Sequence, residues 1–159
     1  MEEKQHITVL GLGNILLQDE GFGVHFVNWF SARHRLNGRV KFVDGGTLGY
    51  GLLDIICSTG HLIVVDVVKI DDAPGSVYRF SKDEMDRYLP AATSAHEVTF
   101  PDVLCKAELM GQCPEVVFLC IVPQHYEQME TELTPVLQEK FPDMEKLLVR
   151  ELSHHNISS

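Results

Sequence analysis

Four short, nearly continuous apolar runs, rich in β-branched residues, constrain the fold of this chain most. They lie at 7–10, 40–43, 61–68 and 116–122. Runs of this length without polar alternation are typical of parallel strands that helices cover on both faces. Two segments with apolar residues at helical spacing, 21–35 and 48–57, separate the first three runs. This order predicts an α/β fold, a three-layer sandwich in which helices flank a twisted, mainly parallel sheet of about five strands.

Further elements are predicted in the middle of the chain. Residues 76–80 alternate in polarity, which indicates an edge strand that pairs antiparallel. Ser81, with Glu84 three residues later, is typical of a capping box and predicts a helix to about residue 89. A helix over 100–110 is expected to end at Gly111, because glycine is the usual residue after a helix C-terminus.

The last part of the chain predicts an interrupted helix. Thr134 and Pro135 fit the cap and first position of a helix, and Pro142 is expected to kink or split it. With 159 residues, of which 45% are hydrophobic, the chain 1–159 is expected to form one domain. The polar tail from about residue 153 is expected to be disordered.

Composition disfavours several classes of partner. With 13 basic and 23 acidic residues the formal net charge is −10, and no Lys/Arg cluster stands out, so we expect neither a nucleic acid nor an anionic membrane as partner. No signal-peptide pattern is present, and no apolar stretch reaches the roughly 18 residues of a membrane helix. The four cysteines have no metal-binding spacing and are expected to be reduced and structural. We therefore expect a cytoplasmic protein.

A glycine-rich turn follows the first apolar run, in the segment 11–23 (GLGNILLQDEGFG). Dinucleotide binding is the first hypothesis to test, but the third glycine of the G-x-G-x-x-G fingerprint is replaced by Leu16. The carboxylate of Glu20 would also repel a pyrophosphate that a helix N-terminus otherwise attracts. A nucleotide-binding domain is thus disfavoured, and the loop is better suited to a cation or a polar substrate.

Acidic residues lie at the ends of three predicted parallel strands, where ligands bind in such sheets. Asp19 and Glu20 follow the first strand, Asp44 ends the second, and Asp66 lies within the third. An unpaired charge inside an apolar strand costs several kcal/mol, so Asp66 needs a cation, a set of hydrogen-bond donors or a shifted pKa. The alternative is a structural acid that accepts hydrogen bonds from loop N–H groups.

The geometry of a helix separates the two adjacent acids. Consecutive residues point about 100° apart, so one of Asp19 and Glu20 is expected to cap the helix and the other to face the crevice. His96 follows a polar loop over 90–95, and its neutral imidazole would complete a nitrogen and oxygen ligand set with Glu20 and Asp66. Taken alone, His96 is more typical of an ordinary surface histidine.

Taken together, these motifs resemble the hydrogenase maturation endopeptidases, which trim the large subunit of nickel–iron hydrogenases. The matching segments occur in family order over nearly the whole chain. One departure is Ala95, where some relatives have proline. The segments are 11–24, 44–49, 61–66, 73–75, 94–96 with 102–104, and 133–135.

The resemblance implies an endopeptidase that removes a C-terminal extension from a nickel–iron hydrogenase large-subunit precursor after nickel insertion. Its metal ligands correspond to Glu20, Asp66 and His96, and the nickel arrives with the precursor, so that the resting enzyme is metal-free. The Asp-Gly-Gly-Thr motif would grip the substrate. It comprises Asp44, Gly45, Gly46 and Thr47.

The catalytic group stays open at this point. No nucleophilic serine or cysteine is implied, so a carboxylate, Asp44 or Asp66, is the candidate general base, as in an aspartyl protease. Nickel could serve for recognition, polarise the scissile carbonyl or activate water. The alternative function is a nickel-binding or nickel-sensing maturation factor without proteolytic activity.

Overall fold

A computed structural model describes residues 6–36, 38–88 and 98–158 and contains a five-stranded sheet between two layers of helices. The strands are β1 Ile7–Leu12, β2 Val40–Gly46, β3 His61–Val67, β4 Val77–Ser81 and β5 Glu115–Ile121. Their order in the sheet is β2-β1-β3-β5-β4. All neighbours pair in parallel except β4, which runs antiparallel to β5 at the edge. The predicted fold class and the antiparallel edge strand are confirmed.

The described residues also contain six α-helices and two 3-10 helices, of which the last two α-helices follow the final strand. The α-helices are α1 Phe22–Arg33, α2 Leu53–Ser58, α3 Lys82–Met85, α4 Phe100–Leu109, α5 Pro135–Gln138 and α6 Phe141–Ser153. The 3-10 helices Gln18–Gly21 and Gly49–Leu52 precede α1 and α2. None of the helices in the described part of the chain has the length and apolar character needed to cross a membrane.

The sheet separates two core layers, and the central strand β3 contributes to both, because successive side chains of a strand point to opposite faces. Ile63 and Val65 pack in the cluster formed with α1, α5 and α6. Leu62 and Val64 pack in the cluster formed with α2, α3 and α4. Asp66 follows the same alternation and therefore lies on the α2 and α4 side of the sheet.

Close backbone contacts fix the start of α1 against the sheet. A Cβ atom at Gly23 would lie 2.1 Å from the carbonyl oxygen of Val65 and 2.5 Å from that of Leu12. A Cβ atom at Gly13, where φ is +127°, would lie 1.8 Å from the carbonyl oxygen of Glu20. These glycines allow the segment that carries Glu20 to approach the ends of β1 and β3 closely.

Gly23→Ala is expected to lower the free energy of unfolding by about 2 kcal/mol, because the added methyl group meets backbone atoms that cannot move away independently. This cost exceeds the gain in helix propensity from glycine to alanine, which is about 1 kcal/mol. Gly51→Ala is the control, since its Cβ would meet only the Cβ of Leu48 at 3.5 Å. Urea unfolding of both variants measures the difference, and equal stabilities would contradict the close-packing argument.

Proline and capping residues set the helix ends largely as predicted. Pro142 lies in the first turn of α6 and separates it from α5, which confirms the split helix. Ser81 and Glu84 form the predicted capping box of α3. α3 itself ends at Met85 and residues 86–88 form a turn, so the helix predicted to about residue 89 is shorter than expected. α4 ends before Gly111, whose φ is +69°.

The tail differs from the expectation of disorder beyond about residue 153. Residues 154–156 form a turn, and Ile157 is only 2% exposed and packs in the core cluster of α1 and α6. The ring of His155 lies 4.3 Å from the ring of His61 at the start of β3. One buried apolar side chain thus anchors a segment whose composition is otherwise polar.

Candidate active site

A cleft of about 380 Å³ opens at the carboxyl ends of β1 and β3. The chain leaves β1 toward β2 on one side, whereas β3 lies on the other side, so this is the switch point at which α/β sheets bind ligands. Both Glu20 and Asp66 line the cleft. Its other walls come from the turn after β1, the turn after β2 and the start of α4: Leu12, Gly13, Asn14, Leu17, Gly46, Thr47, Leu48, Gly49, Leu52, Val98, Thr99, Phe100, Pro101 and Val103.

The adjacent acids Asp19 and Glu20 point to different places, as expected. Glu20 faces the cleft, with a side chain that is 24% exposed. Asp19 is fully buried and accepts hydrogen bonds from the backbone N–H groups of Gln124, His125 and Thr134, and from Thr134 Oγ1. Neither side chain caps the 3-10 helix or α1, so the predicted helix cap is wrong. The Asp19 carboxylate accepts hydrogen bonds from these distant donors instead of from the N–H groups at the start of its own helix.

Asp66 is an acid in an apolar environment. It lies in register with Cys120 of β5, and burial, followed by the charge of Glu20, raises the pKa of Asp66 from 3.8 to about 7. The backbone N–H of Val67 donates to Asp66 Oδ1 at 2.7 Å, and this hydrogen bond and Lys69 act in the opposite direction. Two of the expected features, a hydrogen-bond donor and a shifted pKa, are therefore both present at Asp66. The neighbouring carboxylate of Glu20 adds a repulsion that the donor does not remove.

Glu20 has an oxygen atom that lacks a hydrogen bond. Glu20 Oε2 is shielded from solvent and accepts no hydrogen bond of standard geometry from the described residues. The ammonium nitrogen of Lys69 lies 3.0 Å from this oxygen, as an ion-pair partner. The same nitrogen lies 4.5 Å from the ring centre of Tyr126, a distance typical of a cation–π contact.

Lys69 and Tyr126 were not identified from the sequence. A lysine three residues after Asp66, at the end of an apolar strand, is a signal that could have predicted a counter-ion for the acid. Tyr126 lies in the loop after β5 and has no such signal. Its position depends on how that loop folds over the end of the sheet.

The Asp-Gly-Gly-Thr motif forms one edge of the cleft only in part. Gly46 and Thr47 line it, whereas Asp44 and Gly45 are outside its lining. Asp44 is exposed at the end of β2, and Gly45 is buried against Leu10 and Leu12. The substrate-binding role of these four residues stays a prediction.

His96 lies outside the described residues, so the trio of ligands stays a prediction. Val98 and Thr99, which follow it closely in the sequence, line the cleft with Glu20 and Asp66. Within 6–36, 38–88 and 98–158, no group of three or more His, Cys, Asp or Glu side chains is arranged to hold a metal ion. The carboxylates of Glu20 and Asp66 nevertheless suit a divalent cation, since carboxylate oxygens bind such ions, and the predicted ligand His96 would add an imidazole nitrogen.

The cysteines are free thiols, and none of them lines the cleft. All four lie in described residues and none forms a disulfide. Burial raises the pKa of the Cys120 thiol, with a smaller effect from the charge of Asp66. A thiol of raised pKa is a poor nucleophile, which agrees with the structural role expected from the sequence.

Comparison with known proteins identifies the family. The family model described as hydrogenase maturation protease matches residues 24–151. The chain is 34% identical over 150 residues to a hydrogenase expression/formation protein HupD of Rhodobacter capsulatus, covering 93% of this chain and 71% of that protein. It is 34% identical over 145 residues to the hydrogenase 2 maturation protease of Escherichia coli, covering 89% and 88% of the two chains.

A solved structure shares the whole architecture. The hydrogenase maturating endopeptidase HybD from E. coli superposes with a TM-score of 0.88 at 29% identity, over 96% of this chain and 95% of that one. The chain therefore belongs to the hydrogenase maturation protease family and is a peptidase.

Proposed function

We propose that this protein is an endopeptidase that removes the C-terminal extension of a nickel–iron hydrogenase large-subunit precursor, and that nickel already inserted in the precursor is its recognition element. The observation that carries the proposal is a pair of carboxylates, Glu20 and Asp66, in one cleft at the switch point of the sheet. Removal of the extension would activate the hydrogenase by letting the subunit close over its finished metal centre.

We infer that a cation bound in the cleft would be coordinated only in part by the protease. Glu20 Oε2 accepts no hydrogen bond of standard geometry within the described part of the chain, and burial, followed by the charge of Glu20, raises the pKa of Asp66. A cation would offset both the loss of water around Asp66 and the repulsion by Glu20. His96 is the proposed third ligand, a short distance along the chain from Val98 at the cleft wall. Three ligands leave coordination positions open, so the ligands of the precursor can stay on its nickel.

Asp66 is a better candidate than Asp44 for contact with the reacting part of the substrate. Asp66 lines the cleft, whereas Asp44 is exposed beyond its lining. A carboxyl group with a pKa of about 7 can accept or donate a proton near neutral pH, which suits a general base. Ligation to a metal would hold the same group ionised, so the two roles of Asp66 belong to different steps or different states. Gly46 and Thr47, which line the edge of the cleft, are the proposed contacts of the peptide.

Cleavage is expected to require nickel in the precursor. Precursor purified with nickel should lose its C-terminal extension when mixed with this protein, whereas nickel-free precursor should keep it, because the isolated carboxylates recognise little without the metal. Intact-mass spectrometry in the presence of a chelator too weak to strip the inserted ion measures the outcome.

Variants separate recognition from general proteolysis. Glu20→Gln and His96→Ala should each reduce the cleavage rate at least about 100-fold, the effect typical of disturbing a metal-binding group. Asp54→Asn, which changes an exposed acid on α2, is the matched control and should cleave at the wild-type rate.

Equal cleavage of the nickel-containing and nickel-free precursors would instead indicate an ordinary sequence-specific protease. A precursor that keeps its mass in every mixture would favour a nickel-binding factor without hydrolysis.

A further inference from the structure

A positively charged side chain outside the cleft lining pairs with one of the cleft carboxylates. Lys69 lies just beyond the end of β3, and its ammonium nitrogen is 3.0 Å from Glu20 Oε2. The side chain of Lys69 is 49% exposed, so its ammonium group can leave Glu20 for water without disturbing the core. Because Lys69 is the ion-pair partner of Glu20 Oε2, its ammonium group occupies the place where a metal ion would bind to this oxygen.

Tyr126 holds this cation from the other side. The Lys69 nitrogen lies 4.5 Å from the centre of the Tyr126 ring, and Tyr126 directly follows His125, whose backbone N–H donates to the buried Asp19. Asp19 immediately precedes Glu20 in the chain. The ion pair with Glu20 and the ring of Tyr126 therefore both favour a position of the Lys69 ammonium group beside Glu20.

We propose that Lys69 is an internal counter-ion that competes with metal ions for Glu20 and Asp66, so that the isolated protein binds free divalent cations weakly. The inference rests on the proposed function in that both place a metal ion at these carboxylates. A free ion must displace the ammonium group with the help of the protease ligands alone. An ion that arrives in the precursor brings further ligands and a protein contact surface, which together offset the displacement of Lys69. Lys69 thus acts as a specificity-determining residue.

Direct titration of the full-length protein with Ni²⁺ tests this role. Lys69→Met, which keeps an apolar contact with Tyr126, should bind Ni²⁺ at least about tenfold more tightly than wild type, the effect of removing one positive charge beside a divalent ion even at the dielectric constant of water. Lys69→Gln should show the same gain. Lys69→Arg keeps the charge and should stay within about threefold of wild type.

Two controls assign any gain to the cleft. Lys82→Met makes the same change in net charge at a lysine that pairs with Glu108, outside the cleft lining, and should leave the affinity unchanged. Adding Glu20→Gln to Lys69→Met should remove the gain, whereas binding to surface histidines would persist.

The counter-ion role is overturned if neither neutral variant binds Ni²⁺ more tightly than wild type, including the case in which none binds it. It is also overturned if Lys82→Met gives the same gain. These outcomes are independent of the cleavage test, because nickel-dependent processing can hold without a counter-ion, and tighter Ni²⁺ binding can occur in a protease that does not require nickel.

Discussion

Asp66→Asn is expected to abolish cleavage of the precursor and, at pH 8, to raise the free energy of unfolding by about 2 kcal/mol. Cleavage is lost because an amide is a poor ligand and a poor base. Stability increases because the substitution removes a desolvated carboxylate whose pKa is raised to about 7 by burial and by Glu20. The asparagine oxygen can still accept the hydrogen bond from the Val67 N–H.

The sign of the pH dependence follows from the direction of this pKa change. The folded state holds a proton on Asp66 up to about pH 7, whereas the unfolded state loses it near pH 3.8. The ionised group therefore costs stability as the pH rises through this window. A change from 3.8 to about 7 corresponds to at most about 4 kcal/mol, and partial exposure of Asp66 to solvent reduces this to about 2 kcal/mol.

Urea unfolding at pH 8, 6 and 3.5 measures the effect. The gain of Asp66→Asn over wild type should shrink as the pH falls and vanish at the lowest pH, while Asp54→Asn should change little throughout. If Asp66→Asn is instead destabilised by several kcal/mol at pH 8, Asp66 is a structural acceptor, the alternative that its sequence environment left open.

The strands and helices could be predicted because their signals are local. Burial between the layers of an α/β fold requires apolar side chains at regular positions. That requirement is visible in the apolar runs of β1, β3 and β5 and in the helical spacing of α1. Pro142 is tolerated in the first turn of α6 but would disrupt the interior of one continuous terminal helix, since proline lacks the N–H group needed there. Ile157 was missed because a single apolar residue in a polar tail gives no periodicity, although one such side chain is sufficient to fix the segment to the core.

The candidate site could be predicted only in part. Glu20 and Asp66 could be predicted because an acid after a strand end, or inside an apolar strand, is costly without a binding partner. Such an acid is therefore a candidate ligand. The orientation of Asp19 depends on the loop after β5, more than 100 residues later in the chain, and periodicity carries no information on that contact. The place of Lys69 depends in the same way on Tyr126. Long-range loop contacts, rather than secondary structure, are what the sequence left undetermined.

Asp19→Ala is expected to lower the free energy of unfolding by about 3 to 5 kcal/mol, the opposite of the effect at Asp66. The carboxylate of Asp19 is fully buried and accepts hydrogen bonds of 2.8–3.1 Å from the N–H groups of Gln124, His125 and Thr134. Its removal leaves these buried or partly buried donors without an acceptor, and each such loss costs about 1 to 3 kcal/mol.

Asp19→Asn should be destabilised less, because one amide oxygen can still accept from Thr134, while the NH₂ group faces N–H donors on the loop after β5. Asp71→Ala removes an exposed acid and serves as the control, with a change within about 0.5 kcal/mol. Urea unfolding at pH 7 measures all three variants. An Asp19→Ala protein as stable as wild type would show that the loop after β5 does not depend on this carboxylate. A destabilised variant that also cleaves slowly while still folded would show that the acid adjacent to Glu20 holds the cleft in shape, so that one of two neighbouring carboxylates builds the site and the other acts in it.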